Sequence, residues 1–394
     1  MVTENKPIRI LEVVDNYYPS IDGVVNVVDN YAKLLNQKGK ADVEVLVPWY
    51  PKSPNNDSYK VIRSLSLSGG KYGVRLPLPM FDIKLKKYLK HNKYDLIHCH
   101  SPATLGKLAV KLAKKQNIPI IFTVHTRYHE EINRAVKSKF LQKFALNFLL
   151  STIKKMDYLW AVSDGNRVCL HEKYNIDLPC EVMRNGTDIK DSDSVKVLEE
   201  KTKLINKLGL NKDDKILLFV GRLVLVKNIG MLFDIMKILK DKGENYKLII
   251  IGDGDYKSNL MRKSHNLNLD DCVYFVGNIS NRDKLSAYYL ASQLFVFPST
   301  FDSCPLVIKE SVAMDLPLLV VKNSSSSEEV IDGHNGFVAE NEPNIWADKI
   351  LDIFSNTEVY NEVKNNCKKD LYQSWDDIVD NVFEKYQQII NKNK

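Results

Sequence analysis

Nowhere in its 394 residues does the chain carry an apolar run near the roughly 18 residues that a membrane-spanning helix requires. The longest runs, such as Phe144–Leu150, are core-sized. Cysteine is sparse: Cys99, Cys169, Cys180, Cys272, Cys304 and Cys367 are scattered with no C-x-x-C pair. Neither a disulfide framework nor a structural zinc site is therefore expected. The first strand-to-helix loop has no G-x-G-x-x-G, which disfavours a dinucleotide cofactor, and no H-E-x-x-H or comparable metal-ligand set occurs. The opening residues show no apolar stretch before a small-residue cleavage site, so a secretory signal is not expected. No internal repeat stands out, and the only low-complexity tract is Ser324–Ser327. Collagen, coiled coil, disorder and transmembrane classes are excluded.

What is present is the composition of an ordinary globular protein, 44% hydrophobic and 27% charged. At roughly 100–200 residues per domain, the length suggests two or three domains. The net charge of +7 is unevenly placed: residues 1–188 hold 29 Lys+Arg and 18 Asp+Glu, and the remainder holds 27 and 31. A basic first half fits an anionic partner such as a membrane surface, nucleic acid or a phosphate-bearing substrate. It equally fits a surface rich in solvated lysine.

Two series of short apolar strands alternate with helical spacing. The first comprises Ile8–Val14, Ala41–Pro48, Tyr94–His100, Ile118–His125 and Tyr158–Ser163; the second comprises Lys215–Gly221, Tyr246–Gly254, Cys272–Gly277, Leu294–Ser299 and Leu316–Val321. Continuous apolar strands alternating with helices imply parallel sheets covered on both faces. The polar stretch Asn185–Lys201 separates the series as a candidate linker. The expected fold is α/β: two doubly wound, Rossmann-like domains facing a central cleft, over residues 1–190 and 191–373, followed by an amphipathic helix over 374–394. That helix sets Ile378, Val382, Phe383, Tyr386, Ile389 and Ile390 on one face.

Chemistry is expected at the strand tips. Gly23 opens a helix after the first strand, where it serves either a close approach to phosphate or simple turn geometry. His125 directly follows the fourth strand and can donate to, or accept from, a substrate hydroxyl. His98 and His100 end the preceding strand, where a satisfied structural role or a metal are the alternatives. In the second series Arg222 follows a strand tip and Lys227 comes five residues later, together suited to clamp a diphosphate. Asp302 and Glu310 flank a short loop and a helix starting near Pro305, whose first amides, at Leu306 and Val307, face a phosphate; the carboxylates can accept from sugar and ribose hydroxyls.

The segments "YYPSIDGVV", "DLIHCHSP", "VHT", "AVS", "NGTD", "VGRLVLVKN", "IGDGD", "FVG", "FDSCPLVIKE" and "DGHNGF" resemble the retaining GT-B glycosyltransferases of glycosyltransferase family four, over nearly the whole chain. The resemblance implies an acceptor-binding first domain, a second domain that binds a nucleotide-sugar donor, and a closing helix around Trp375 that returns to the first. It assigns the donor diphosphate to Arg222 and Lys227, the sugar to Asp302, the ribose to Glu310, a place near the transferred sugar to His125 and a place near the phosphate to Gly23. Two positions depart from the family pattern: Asp302 stands where Glu is usual, and Pro305, which has no amide to donate, where Gly is frequent.

From Ile132 to Met156 there is no acidic residue, but Arg134, Lys137, Lys139, Lys143, Lys154 and Lys155 are present, with Val136, Phe140, Phe144 and Phe148 every four residues. A basic aromatic helix over 132–156 either lies in an anionic membrane interface or packs its stripe into the first domain. Five lysines between Lys84 and Lys93 add to the basic character. Enzymes that glucosylate diacylglycerol have a similar helix at this position, so the resemblance favours transfer of glucose from UDP-glucose to a membrane lipid such as diacylglycerol. A polysaccharide or small-molecule acceptor and a nucleotide-sugar epimerase are the alternatives. No metal or other cofactor is expected, since the only "DSD", Asp191–Asp193, lies in the linker. Nucleic acid is not an expected partner, for want of a groove-reading motif. The expected location is cytoplasmic, peripheral to the inner face of the membrane where residues 132–156 meet lipid.

Overall fold

The structure, a computed structural model, describes residues 7–19, 23–51, 53, 56–69, 75–189, 194–211 and 213–393. Asp22 and Asp191–Asp193 lie outside the described residues. Contacts divide the chain into two compact units: Met1–Asn185 with Trp375–Lys394, and Gly186–Ser374.

The first unit begins β1 (Ile8–Val13), α1 (Gly23–Gln37), β2 (Ala41–Pro48), β3 (Lys60–Ser64), β4 (Ser66–Ser68), β5 (Arg75–Pro77) and α2 (Ile83–His91). It continues through β6 (Leu96–Cys99), α3 (Thr104–Gln116), β7 (Ile120–Val124), α4 (Tyr128–Ala135), α5 (Lys139–Ile153), β8 (Tyr158–Ala161), α6 (Asp164–Val168) and β9 (Cys180–Val182). Seven strands form one sheet in the order β3-β2-β1-β6-β7-β8-β9, with every neighbouring pair parallel. The strands read as continuous apolar runs because helices cover both faces, and β7 is buried at all five residues.

The second unit runs α7 (Val195–Leu208), β10 (Lys215–Val220), α8 (Gly230–Asp241), β11 (Tyr246–Ile251), α9 (Lys257–Asn266), β12 (Val273–Gly277), α10 (Arg282–Ala291) and β13 (Leu294–Phe297). It ends with α11 (Leu306–Ala313), β14 (Leu318–Val321), β15 (Phe337–Ala339), α12 (Pro343–Ser355) and α13 (Thr357–Leu371). Its six parallel strands take the order β12-β11-β10-β13-β14-β15, the doubly wound dinucleotide-fold order. The candidate linker is only partly a linker, since α7 begins at Val195 and occupies its second half.

The last helix, α14 (Trp375–Lys392), follows the second unit in sequence but packs in the first. Its face of Ile378, Val379, Val382, Tyr386, Ile389 and Ile390 is buried, and Tyr386 stacks on Trp160 of β8 at 5.6 Å between ring centroids. Lys38 and Lys40, beyond α1, pair with Asp380 at 2.6 and 2.9 Å; exposed pairs of this kind contribute about 0–1 kcal/mol. The apolar contact holds the helix. Trp160→Ala should cost about 3–5 kcal/mol through the cavity it leaves, seen as a fall in melting temperature on the order of 10 °C.

The region 132–156 departs from expectation. It is two helices, α4 and α5, separated at Val136–Ser138, with the Ser138 hydroxyl capping α5 by accepting from the Leu141 amide at 3.5 Å. A serine N-cap competes with continued helix and starts a new one. The stripe does not enter the core as a unit: Phe140 and Phe144 are 78% and 64% exposed, while Phe148 is half-buried under the Lys107 ammonium.

Candidate functional site

In each sheet the strand order reverses at one place, between β1 and β6 and between β10 and β13. Ligands of open α/β sheets bind outside the carboxyl ends of strands at such points. The expected functional residues cluster there.

In the first unit, β1, β6 and β7 are neighbours, with Glu12 opposite His98 and His98 opposite Ile121. Side chains two apart on a strand share a face, so Glu12, His98, His100, Thr123 and His125 converge on one side of the sheet. The His100 Nε2 lies 2.7 Å from the Glu12 Oε2, and the His100 Nδ1 lies 2.9 Å from the His125 Nε2. His98 contacts the Tyr386 hydroxyl at 2.5 Å and the Thr123 hydroxyl at 2.7 Å, and Tyr386 donates to the Glu12 Oε1 at 3.0 Å. Glu12, His98, His100 and Tyr386 are buried; His125 is intermediate at the β7 tip.

Burial works against the Glu12 charge, but the two histidines beside it outweigh that and hold its carboxyl down at about 2. Burial, reinforced by neighbouring His100, lowers His98 to about 4. Burial and then His100 and His98 hold His125 well below the ordinary histidine range. The Glu12–His98–His100 group is close enough to be read as a metal triad. Yet both Glu12 oxygens and the ring nitrogens of His98 and His100 are engaged by one another or by Tyr386, Thr123 and His125, so hydrogen bonding alone accounts for the burial of these polar groups.

Gly23 is the first residue of α1 and is exposed; a Cβ there would meet nothing within 4 Å. The surrounding protein does not require glycine at this position.

In the second unit, Arg222 follows the β10 tip and Asp302 follows β13. The turn carrying Arg222 is pressed against the end of β11, with the Leu223 amide donating to the Asp253 carbonyl at 2.9 Å. That contact explains two glycines of "IGDGD". Gly252 has φ +138°, and a Cβ on it would lie 1.9 Å from the Gly221 carbonyl oxygen; one on Gly254 would lie 2.5 Å from that of Leu223. The Arg222 side chain is exposed and makes no hydrogen bond or ion pair among the described residues, while the backbone carbonyl accepts from the Val224 amide at 3.0 Å.

Lys227 ends a short 3₁₀ turn, Leu225–Lys227, and its ammonium pairs directly with the Asp302 Oδ1. The cation and the acid read separately from sequence are thus one ion pair. The Asp302 Oδ2 is buried and has no hydrogen-bond partner among the described residues. After Pro305, α11 starts at Leu306, and the Ile308 amide bonds back to the Pro305 carbonyl at 3.1 Å. Leu306 and Val307, both half-buried, carry first-turn amides with no intrahelical acceptor.

Glu310 lies about one turn into α11, buried, with Oε2 accepting from the Tyr289 hydroxyl at 2.8 Å and Oε1 3.0 Å from Arg282. Arg282 also pairs with Asp188. Sequence reading missed Arg282 and Tyr289, which α10 presents to Glu310, and Glu12. Glu12 had a signal, a carboxylate within the apolar run Ile10–Val14 of the first strand. A pocket of about 390 Å³ lies beside the same turn, lined by Leu225, Asn228, Met231, Asp234, Tyr256 and Lys263 among others, and none of the expected site residues lines it.

Comparison with known families matches residues 21–191 to "Glycosyltransferase Family 4" and residues 200–370 to "Glycosyl transferases group 1". The alpha-monoglucosyldiacylglycerol synthase of Streptococcus pneumoniae is 26% identical over 318 residues, 80% of this chain and 71% of that protein. The enzyme of the same name from Acholeplasma laidlawii is 26% identical over 366 residues, 89% of each chain. Among solved structures, Anabaena HepE in complex with UDP superposes with a TM-score of 0.75 at 17% identity, covering 97% of this chain and 100% of that one. The fold is that of the GT-B glycosyltransferases.

Proposed function

The chain belongs to the group 1 glycosyltransferases, its first half matching glycosyltransferase family 4, and we propose that it moves glucose from UDP-glucose to the hydroxyl of diacylglycerol with retention of anomeric configuration. The observation that carries the donor half of this reading is the arrangement at the β10–β13 reversal. Exposed Arg222, Lys227 and the two unbonded amides of Leu306 and Val307 offer positive charge and N–H donors of the kind a diphosphate requires. The Asp302 Oδ2, buried and unpartnered, is an acceptor for a sugar hydroxyl. The Glu310 oxygens keep lone pairs beyond Arg282 and Tyr289 and can take a ribose hydroxyl.

In this reading Arg222, Lys227 and the α11 amides neutralise the charge that develops on the leaving diphosphate, normally the largest catalytic contribution. His125 sits near the transferred sugar. No divalent ion is required for that neutralisation.

Two features favour a lipid acceptor. The relatives named alpha-monoglucosyldiacylglycerol synthase align over most of the chain. The first unit also exposes apolar side chains beside lysines, with Phe140, Leu141 and Phe144 near Lys137, Lys139 and Lys143, and Met80, Phe81 and Ile83 beside Lys84 and Lys86. Such faces enter an anionic interface. No described helix is long and apolar enough to cross a membrane.

The test is a vesicle assay: diacylglycerol in anionic lipid, radiolabelled UDP-glucose, and excess chelator. Label is expected in the lipid phase at an undiminished rate with chelator. Activity lost in chelator and restored by magnesium or manganese would overturn metal-independent transfer. Label passing only to soluble saccharide would overturn the lipid acceptor, and epimerised donor without any acceptor would overturn transfer itself.

A further inference from the structure

In the second unit, one helix grips a single carboxylate by both of its oxygens. Arg282 opens α10 and Tyr289 follows seven residues later, a spacing that sets both on the same side of the helix. The Asn281 side chain caps α10 by accepting from the Lys284 amide at 2.9 Å, which fixes the helix end that carries Arg282. Glu310 of α11 meets both residues. Its Oε2 accepts from the Tyr289 hydroxyl at 2.8 Å, and its Oε1 lies 3.0 Å from the Arg282 Nη2. Tyr289 is fully buried, with its ring centroid 5.9 Å from that of Phe295 in β13, so its hydroxyl is held by packing. The same Arg282 nitrogen pairs with Asp188, a second anchor for the guanidinium. Among the described residues Arg282 has no other side-chain partner, and its Nε is buried and unbonded.

We propose that Arg282 and Tyr289 are positioning residues that pin the Glu310 carboxylate, one at each oxygen, so that it accepts from both vicinal hydroxyls of a ribonucleoside diphosphate and selects ribose over deoxyribose. The proposal rests on the reading of Glu310 as the ribose contact and adds what makes that contact selective. An ionised carboxyl offers about four lone-pair sites, so one contact at each oxygen leaves each with room for a further donor. The Glu310 side chain remains 11% exposed, which leaves those sites within reach of a ligand. Two acceptors at fixed positions suit two neighbouring hydroxyls. A carboxylate free to turn could remake its bonds when one hydroxyl is missing and would discriminate little. One held at both oxygens cannot, and the analogue lacking a hydroxyl forfeits that bond.

Calorimetric titration of the full chain with UDP, 2′-deoxy-UDP and 3′-deoxy-UDP tests the proposal without any acceptor. The wild-type chain should bind UDP at least about tenfold more tightly than either analogue, the value of one hydrogen bond to a charged group. Glu310→Ala removes the acceptor outright and should bring both ratios to about one. Tyr289→Phe keeps the buried ring, and Arg282→Met keeps the apolar stem; each should shrink the ratios to within about threefold. The two variants release different oxygens, so either one supplies the readout if the other fails to fold. A merely structural role for Arg282 and Tyr289 would weaken UDP and its analogues alike and leave the ratios intact. Wild-type ratios in both variants, with discrimination lost in Glu310→Ala, would therefore overturn the positioning role and keep Glu310 at the ribose. A wild-type chain that binds the three nucleotides equally or not at all, or discrimination that survives in Glu310→Ala, would overturn the ribose reading and the proposal with it.

Discussion

Lys227→Ala should lower turnover by roughly 10²–10³, the usual cost of deleting one preorganised donor to developing charge. In the folded chain Lys227 is held by Asp302 at the β10–β13 reversal, with its ammonium also 5.3 Å from the Phe297 ring centroid. The side chain is therefore placed before any donor arrives, and little ordering is left to be done at the moment of transfer. The deletion has a second consequence. Asp302, whose Oδ2 is already unpartnered, would lose the partner of Oδ1 as well. A half-buried carboxylate without partners draws in water, which competes with its use as a hydroxyl acceptor. Lys227→Arg should keep the pair and recover part of the rate, whereas Lys227→Met should behave like alanine. The decisive comparison is kcat against donor KM: a deficit confined to KM would mean that Lys227 acts on the ground state only. Near-wild-type kinetics in the alanine variant would remove it from the transfer step.

The scaffold was largely legible because parallel strands buried on both faces must be apolar throughout. The runs at Ile8, Tyr94, Ile118, Lys215 and Leu294 carry that signature, and each holds a strand. The stripe of α14 was legible for the same reason, at helical rather than strand period. Short edge strands were not: β9 and β15 have three residues each, too few for a period to show. The break between α4 and α5 hid behind Val136, which keeps the four-residue spacing of Phe140, Phe144 and Phe148 across the Ser138 cap. At the site, Arg222, Lys227 and Asp302 could be found because strand tips are readable positions. Arg282 could not. It lies 28 residues before Glu310, on a different helix, and only the three-dimensional packing of α10 on α11 joins them. Glu12 was readable as an anomaly, and what it contacts was not, since Tyr386 is 374 residues away.

Reversing Lys137, Lys139 and Lys143 to glutamate should weaken binding to anionic vesicles by roughly 10²-fold or more, since each cation near an anionic leaflet contributes about 1 kcal/mol. All three side chains are exposed and make no ion pair among the described residues, so the fold should be untouched within about 0.5 kcal/mol. Exposure of the neighbouring aromatics separates two ways in which this face could matter. A stripe packed into the core would make Phe140→Ser and Phe144→Ser destabilising. With both rings largely exposed, the pair should leave the melting temperature unchanged and weaken membrane binding instead, by at most about 1.5–3 kcal/mol for each ring. The two variants should also differ in salt dependence. Charge reversal removes the component screened over a Debye length of about 8 Å at 0.15 M, whereas the aromatic substitutions remove a component that salt does not weaken. UDP binding in the second unit should persist in both, which separates delivery to the lipid from donor chemistry. A wild-type protein that ignores anionic vesicles at low salt would take away the physical support for a lipid acceptor and leave a soluble or polymeric saccharide in its place.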